Sequence, residues 1–164
     1  EYADLAPELA KKVAKVLEKD VDKLLPAKMT ERSALDKLSE VKGNDRPVYL
    51  SISEDIQVSA PDPATEIELK KLLLALGFKV VDTRSEAAYA IICEAVASNA
   101  GQYQKFSSAS ARVEMSIYSG KDNKLLAAGA TKETIASATY IIAAKDAITQ
   151  ATLRLAGQLM THMR

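Results

Sequence analysis

The sequence predicts an α+β domain, with a mostly antiparallel sheet of four to five strands packed with helices and a charged amphipathic helix in front of it. Three observations predict this. Apolar residues recur every three or four positions near both ends of the chain. Between them, short segments alternate apolar and polar residues with period two. The last three of those segments follow one another through hairpin-like links, which favours antiparallel neighbours.

Leu5, Leu9, Val13, Val16, Leu17, Val21 and Leu24 form the first stripe and predict a helix over residues 5–25, which Pro26 ends. A second helix is expected from Glu31 to Val41, with Thr30 as N-cap, Leu35 and Leu38 buried and Gly43 after its end. Val48, Leu50 and Ile52 alternate with Tyr49, Ser51 and Ser53, predicting a strand with one buried face. Asp62 and Pro63 read as N-cap and first-turn proline of a helix reaching Leu76, its core stripe being Leu69, Leu72, Leu73 and Leu76. Gly77 is its natural C-terminal residue.

Residues 78–81 then predict a short second strand, and the nearly continuous apolar run from Tyr89 to Val96 a third, central one. Residues 97–110 are rich in Ser, Ala, Asn, Gly and Gln, and read as a long connection or a loose extension of two strands. Val113, Met115 and Ile117 alternate with Arg112, Glu114 and Ser116 in a fourth strand. The turn chemistry of Gly120-Lys121-Asp122-Asn123 leads to a fifth, from Leu125 to Lys132. Ile141, Ala144, Ile148, Ala151, Leu155 and Leu159 close the chain as a long helix. The first strand–helix–strand passage adds a parallel pairing.

Charge divides the chain. Of 22 acidic and 22 basic side chains, ten of each sign lie in residues 1–46. Residues 1–46 are therefore expected to form a solvated helical region packing on the body, and residues 47–164 the α+β sandwich. A net charge of zero argues against a nucleic-acid binder, which carries a basic surplus. The best apolar run, Ala87 to Cys93, stops at Glu94, well short of a membrane helix. The chain opens on Glu1-Tyr2-Ala3 rather than Met, as a processed or trimmed chain does.

Side chains that carry chemistry are scarce. The single His162 sits at the third position from the end, poorly placed to activate a nucleophile. Cys93 lies in the most apolar strand and reads as core filler. Glu54 and Asp55 are adjacent in an extended segment and so point opposite ways, which suits a solvated strand end better than a catalytic pair. Glu94 is expected to pair with Arg112 or Lys132 across the sheet. No phosphate-binding glycine loop is present, since Gly120-Lys121 sits in a hairpin. The lysines of the first helix are neutralised by Glu8, Glu18, Asp20 and Asp22. No catalytic residue, cofactor or metal site is expected. The segment from Ser98 to Ser110 holds Tyr103, Lys105 and Phe106, the residues here best suited to contacting a protein partner.

Residues 67–82 (IELKKLLLALGFKVVD), Ala87-Ala88-Tyr89-Ala90-Ile91-Ile92, the hairpin from Met115 to Gly129 and the Ala-rich helix from Tyr140 together resemble a bacterial cell-envelope group. It comprises the penicillin-binding-protein activator lipoprotein family (LpoB), the curli secretion channel protein (CsgG) and the TolB amino-terminal domain. In that group a helix ends in Gly-Phe and a short strand, an Ala-Tyr strand follows, and a hairpin leads to a closing helix. The resemblance spans residues 47–160, and the turn at Ser119–Asn123 lacks the group's Asp…Thr-Gly pattern.

The resemblance implies a non-enzymatic accessory protein, periplasmic or associated with the outer membrane, that serves an envelope machine through contacts with a protein partner. The alternative is a domain binding a small molecule or cell-wall fragment in a cleft between sheet and helices. A third reading is an enzyme with carboxylate chemistry at Glu54, Asp55 or Glu94. Unpaired sheet edges would also permit a homodimer.

Overall fold

The computed structural model describes residues 28–59 and 62–164; the helix expected over residues 5–25 lies outside the described residues. The described elements are α1 (Glu31–Lys37), β1 (Pro47–Asp55), α2 (Ala64–Ala75), β2 (Lys79–Val81), β3 (Tyr89–Tyr103), β4 (Phe106–Ser119), β5 (Leu125–Ser137) and α3 (Tyr140–Leu159). Short 3-10 turns occupy Arg84–Glu86 and Met160–His162. The five strands form one mixed sheet in the order β2-β1-β3-β4-β5. β1 pairs in parallel with β2 and β3, while β3-β4 and β4-β5 are antiparallel ladders of much greater length.

This order follows from the brevity of β2. Its three residues reach only the level of Tyr49, so residues 82–88 can return to the start of β1, and β3 enters on the other side of that strand. α3 lies across β3, β4 and β5 and touches α1 and α2, and α2 lies on β1 and β2. The helices thus form one layer. Facing it, Val48, Ile91, Cys93, Ala95, Val113, Met115 and Ile117 are buried. On the opposite face Ser53, Glu94, Val96, Arg112, Glu114 and Lys132 are exposed.

Local chemistry sets the helix ends. Thr30 caps α1 by accepting the Ser33 amide at 3.1 Å, and the Ser33 hydroxyl accepts the Thr30 amide at 2.8 Å. α1 stops at Lys37 rather than Val41, and Gly43 is not its cap. Gly43 instead lies against the end of α2, donating its amide to the Leu76 carbonyl at 2.8 Å. A Cβ there would stand 2.2 Å from the Gly77 carbonyl carbon, so the approach requires glycine. α2 ends in a Schellman motif: Gly77 has φ +81°, Phe78 donates to the Leu73 carbonyl and Gly77 to that of Leu74.

The start of α2 departs from expectation. Pro63, not Asp62, occupies the N-cap position, and no side chain of its own caps the helix. The acceptor comes from β1. The Glu54 carboxylate takes the amides of Ala64 at 3.1 Å and Thr65 at 2.9 Å, placing negative charge at the positive end of the helix.

Besides the backbone bond of Gly43 to Leu76, side chains tie the segment 28–46 to the body at Met29 and Arg46. Gln150 of α3 accepts the Met29 amide and donates to the Met29 carbonyl, both at 2.7 Å. Arg46 lies over the rings of Phe78 and Tyr89, its guanidinium carbon 5.3 and 5.2 Å from their centroids, while the two rings meet edge to face with centroids 6.1 Å apart. The same guanidinium donates to the carbonyls of Lys42, Gly43 and Met163 and to the Tyr89 hydroxyl.

Candidate functional site

The segment 97–110 is not an irregular connection. It is the continuation of β3 and β4 into a hairpin with a two-residue turn at Gln104-Lys105, and Tyr103 pairs with Phe106 across that turn. Gln104 carries the positive φ (53°) that such a tight turn needs at its first position. The ladder shifts register between Asn99 and Gly101; the Asn99 side chain accepts the Gly101 amide at 2.7 Å, and Gly101 has φ +121°. A bulge of this kind adds twist to the arm.

Small side chains fold here because α3 holds them. Ala97, Ala109 and Ala111 are fully buried, as are Ala143, Ala144 and Ala147 on α3, so helix and sheet meet through methyl groups. Tyr140, at the first turn of α3, shares its one hydroxyl proton between the carbonyls of Ile56 and Ala97, at 2.9 and 3.0 Å. The hydroxyl is held above its usual pKa, first by desolvation and then by the charge of Asp55.

The far end of the hairpin outruns β1 but not β5. β1 pairs with β3 only as far as Val96, whereas β5 accompanies β4 as far as Ser107, the residue after Phe106. Past Val96 the arm therefore consists of β3, β4 and β5. Lys105 is exposed at the turn, and Phe106 is 56% exposed beside it. Of the three residues expected to contact a partner, Tyr103 and Phe106 are thus joined by backbone pairing, with Lys105 between them at the apex.

The carboxylates expected as enzymatic candidates do not converge. Glu54 faces the helices as the cap of α2, while Asp55 and Glu94 lie on the opposite face. Asp55 accepts the Gln57 amide at 2.7 Å. Nor does Glu94 pair with Arg112 or Lys132. The register puts Glu114 opposite Glu94 and Val96 opposite Arg112, and Arg112 bonds Glu114 on its own strand at 2.7 Å. Sequence spacing alone could not give that register.

Cys93 is 2% exposed, and burial, with a smaller contribution from the Glu54 charge, pushes its thiol up to about 12. It is protonated and shielded, the reverse of a reactive cysteine. His162 is exposed in the last 3-10 turn, its Nδ1 3.0 Å from the Leu159 carbonyl. Among the described residues no three metal-ligating side chains gather, and no helix is long and apolar enough to cross a membrane.

No family model matches the sequence, and no curated protein does. Solved structures do. The protein XCC0632 from Xanthomonas campestris, of the family described as DUF330, superposes with a TM-score of 0.52 at 12% identity, covering 74% of this chain and 88% of that one. Lipoprotein GNA1162 from Neisseria meningitidis gives 0.42 at 10% identity over 57% and 85% of the two chains. The LpoB C-terminal domain from Escherichia coli gives 0.39 at 14% identity over 63% and 94%. The LpoB domain, from the envelope group that residues 47–160 resemble, is thus among the similar structures. The likeness is one of fold, and the chain shares that fold with the Xanthomonas protein.

Proposed function

We propose that the protein is a non-enzymatic accessory component of a bacterial cell envelope, acting by contact with a protein partner through the tip of the β3–β4 hairpin. One observation carries the reading: an aromatic ring, Phe106, stands exposed at the turn of a hairpin that projects past β1 and is flanked by β5 as far as Ser107. An exposed ring costs free energy in water and returns it when a partner covers it, and aromatics anchor many interfaces. The rigid base supports this use, since Tyr140 and the buried alanines fix the arm against α3. Tyr103 and Lys105 complete the tip, Lys105 contributing charge at the rim. The envelope setting, periplasmic or at the outer membrane, rests on the resemblance of residues 47–160 to the LpoB, CsgG and TolB amino-terminal group.

Mild crosslinking in native cells followed by affinity capture tests the proposal. It should recover a reproducible envelope protein with the unaltered chain and lose it with Tyr103→Ala/Phe106→Ala. Failure to recover any reproducible partner, with the double variant phenotypically silent, would overturn the reading.

A further inference from the structure

The two edges of the sheet differ sharply. One is β2, only three residues long, a length that offers little to an added strand. The other is β5, whose thirteen residues border no further strand among the described residues. β5 contains no proline, and its ladder with β4 runs unbroken from Ala127 to Ser137. Its one irregularity, at Leu126, lies near its start. The backbone donors and acceptors on its outer side are therefore presented as a template for another strand.

The geometry points to a second copy of this chain as that strand, paired antiparallel β5 to β5 about a twofold axis at Thr131. The sequence of β5 matches itself in this register. The small run Ala127-Ala128-Gly129-Ala130 of one copy lies opposite the larger run Lys132-Glu133-Thr134-Ile135 of the other, so Ile135 faces Ala127, Thr134 faces Ala128, Glu133 faces Gly129 and Lys132 faces Ala130. Each pair joins residues on the same face of the sheet, so the helix layer of one copy continues on the same side as that of its partner. A register with the axis moved to Lys132 would set Lys132 against Lys132, which like-charge repulsion opposes.

Charge favours the same pairing. On the open face, Glu94, Glu114 and Ala130 form one row across the sheet, and Val96, Arg112 and Lys132 the next. Twofold pairing joins the basic row of one copy to the acidic row of the other. Lys132 then reaches over the partner's Ala130 toward the partner's Glu114, whose Oε1 Arg112 of the same strand bonds, across two strand spacings of roughly 10 Å, a span that the two side chains can cover. Glu133, on the helix side, is already neutralised by Arg154 and carries no unpaired charge to the interface. The pairing joins β5 to β5 with support from charges on β4, and its test measures self-association, apart from any contact at the hairpin tip.

The test is sedimentation equilibrium of the full chain over a concentration series, with Ala130→Lys and Ala130→Lys/Lys132→Glu as variants. Both positions are exposed, and within the chain each new charge faces its opposite on β4. The ammonium brought by Ala130→Lys stands against Glu114, and the carboxylate brought by Lys132→Glu stands against Arg112. Circular dichroism should therefore show all three chains folded. The expected result is a dimer for the unaltered chain, at least a tenfold weaker dimer for Ala130→Lys, which opposes Lys132 with a second lysine, and recovery in the double variant, which pairs each lysine with a glutamate. A chain that stays monomeric throughout, a dimer indifferent to Ala130→Lys, or a double variant that does not recover would each overturn the proposal.

Discussion

The Glu54 carboxylate, near the end of β1, accepts the amide of Thr65 in the first turn of α2 at 2.9 Å. Strand and helix are thereby joined at the point where the chain leaves the sheet, and the helix gains the cap that Pro63 does not supply. Glu54→Ala should cost about 1 kcal/mol, the usual worth of an N-cap. Glu54→Gln keeps an acceptor but loses the charge at the helix terminus, and should fall between the two. Urea unfolding of the three chains measures the order; equal stability of all three would show that the carboxylate does not cap α2.

Arg46 predicts a larger loss. Its guanidinium lies over both the Phe78 and Tyr89 rings and donates four hydrogen bonds that join residues 42–43, β3 and the last turn of the chain. Arg46→Ala should cost about 2–3 kcal/mol. Arg46→Lys should recover little of that, because an ammonium neither stacks flat nor forks to several carbonyls. At about 2–4 °C per kcal/mol for a chain of this size, calorimetry reads the difference directly.

Cys93 makes a prediction about pH. Its thiol stands at about 12 in the folded protein against an ordinary value of 9.0. Below the ordinary value both states hold the proton and the thiol adds no pH dependence. Between about 9 and 12 the unfolded chain releases its proton while the folded chain keeps it, so stability falls as pH rises. Cys93→Ala should flatten that decline. The thiol should also resist alkylation at pH 8 until the chain is unfolded.

The meeting of α3 with β4 should be intolerant of bulk. Ala111 and Ala147 are each fully buried in the shared core. Enlarging either to Leu should cost about 1–3 kcal/mol by overpacking. Because α3 holds the hairpin at Ala97 through Tyr140, the same variants should speed amide exchange in β3 beyond Val96. Unchanged exchange there would show that the arm does not depend on the helix.

These elements differ in how far the sequence discloses them. Period-two alternation in Val48-Tyr49-Leu50 and the apolar spacing from Ile141 to Leu159 reveal β1 and α3, because Val48, Leu50 and Ile52 pack on the core and α3 contributes Ala144, Ile148, Ala151 and Leu155 to it. Thr30 is legible as a cap because capping is local, three residues from Ser33. The hairpin beyond Val96 is not, since Ser, Ala and Gly alternate without contrast in hydropathy and their pairing depends on α3, far downstream in the chain. The same limit hides the Glu54 cap, ten residues from its helix, and the register that sets Glu114 against Glu94. The site itself is half legible: Tyr103, Lys105 and Phe106 stand out by residue type, but their place at the turn where β3, β4 and β5 run past β1 is a property of the fold.

The most direct test of the central claim is site-specific photo-crosslinking in native cells, with a photoreactive residue at position 105 and a control at position 121 in the opposite turn. A discrete protein adduct is expected at 105, absent at 121 and abolished by Phe106→Ser. No adduct at 105, or equal adducts at both positions, would contradict a partner-binding role for the hairpin tip.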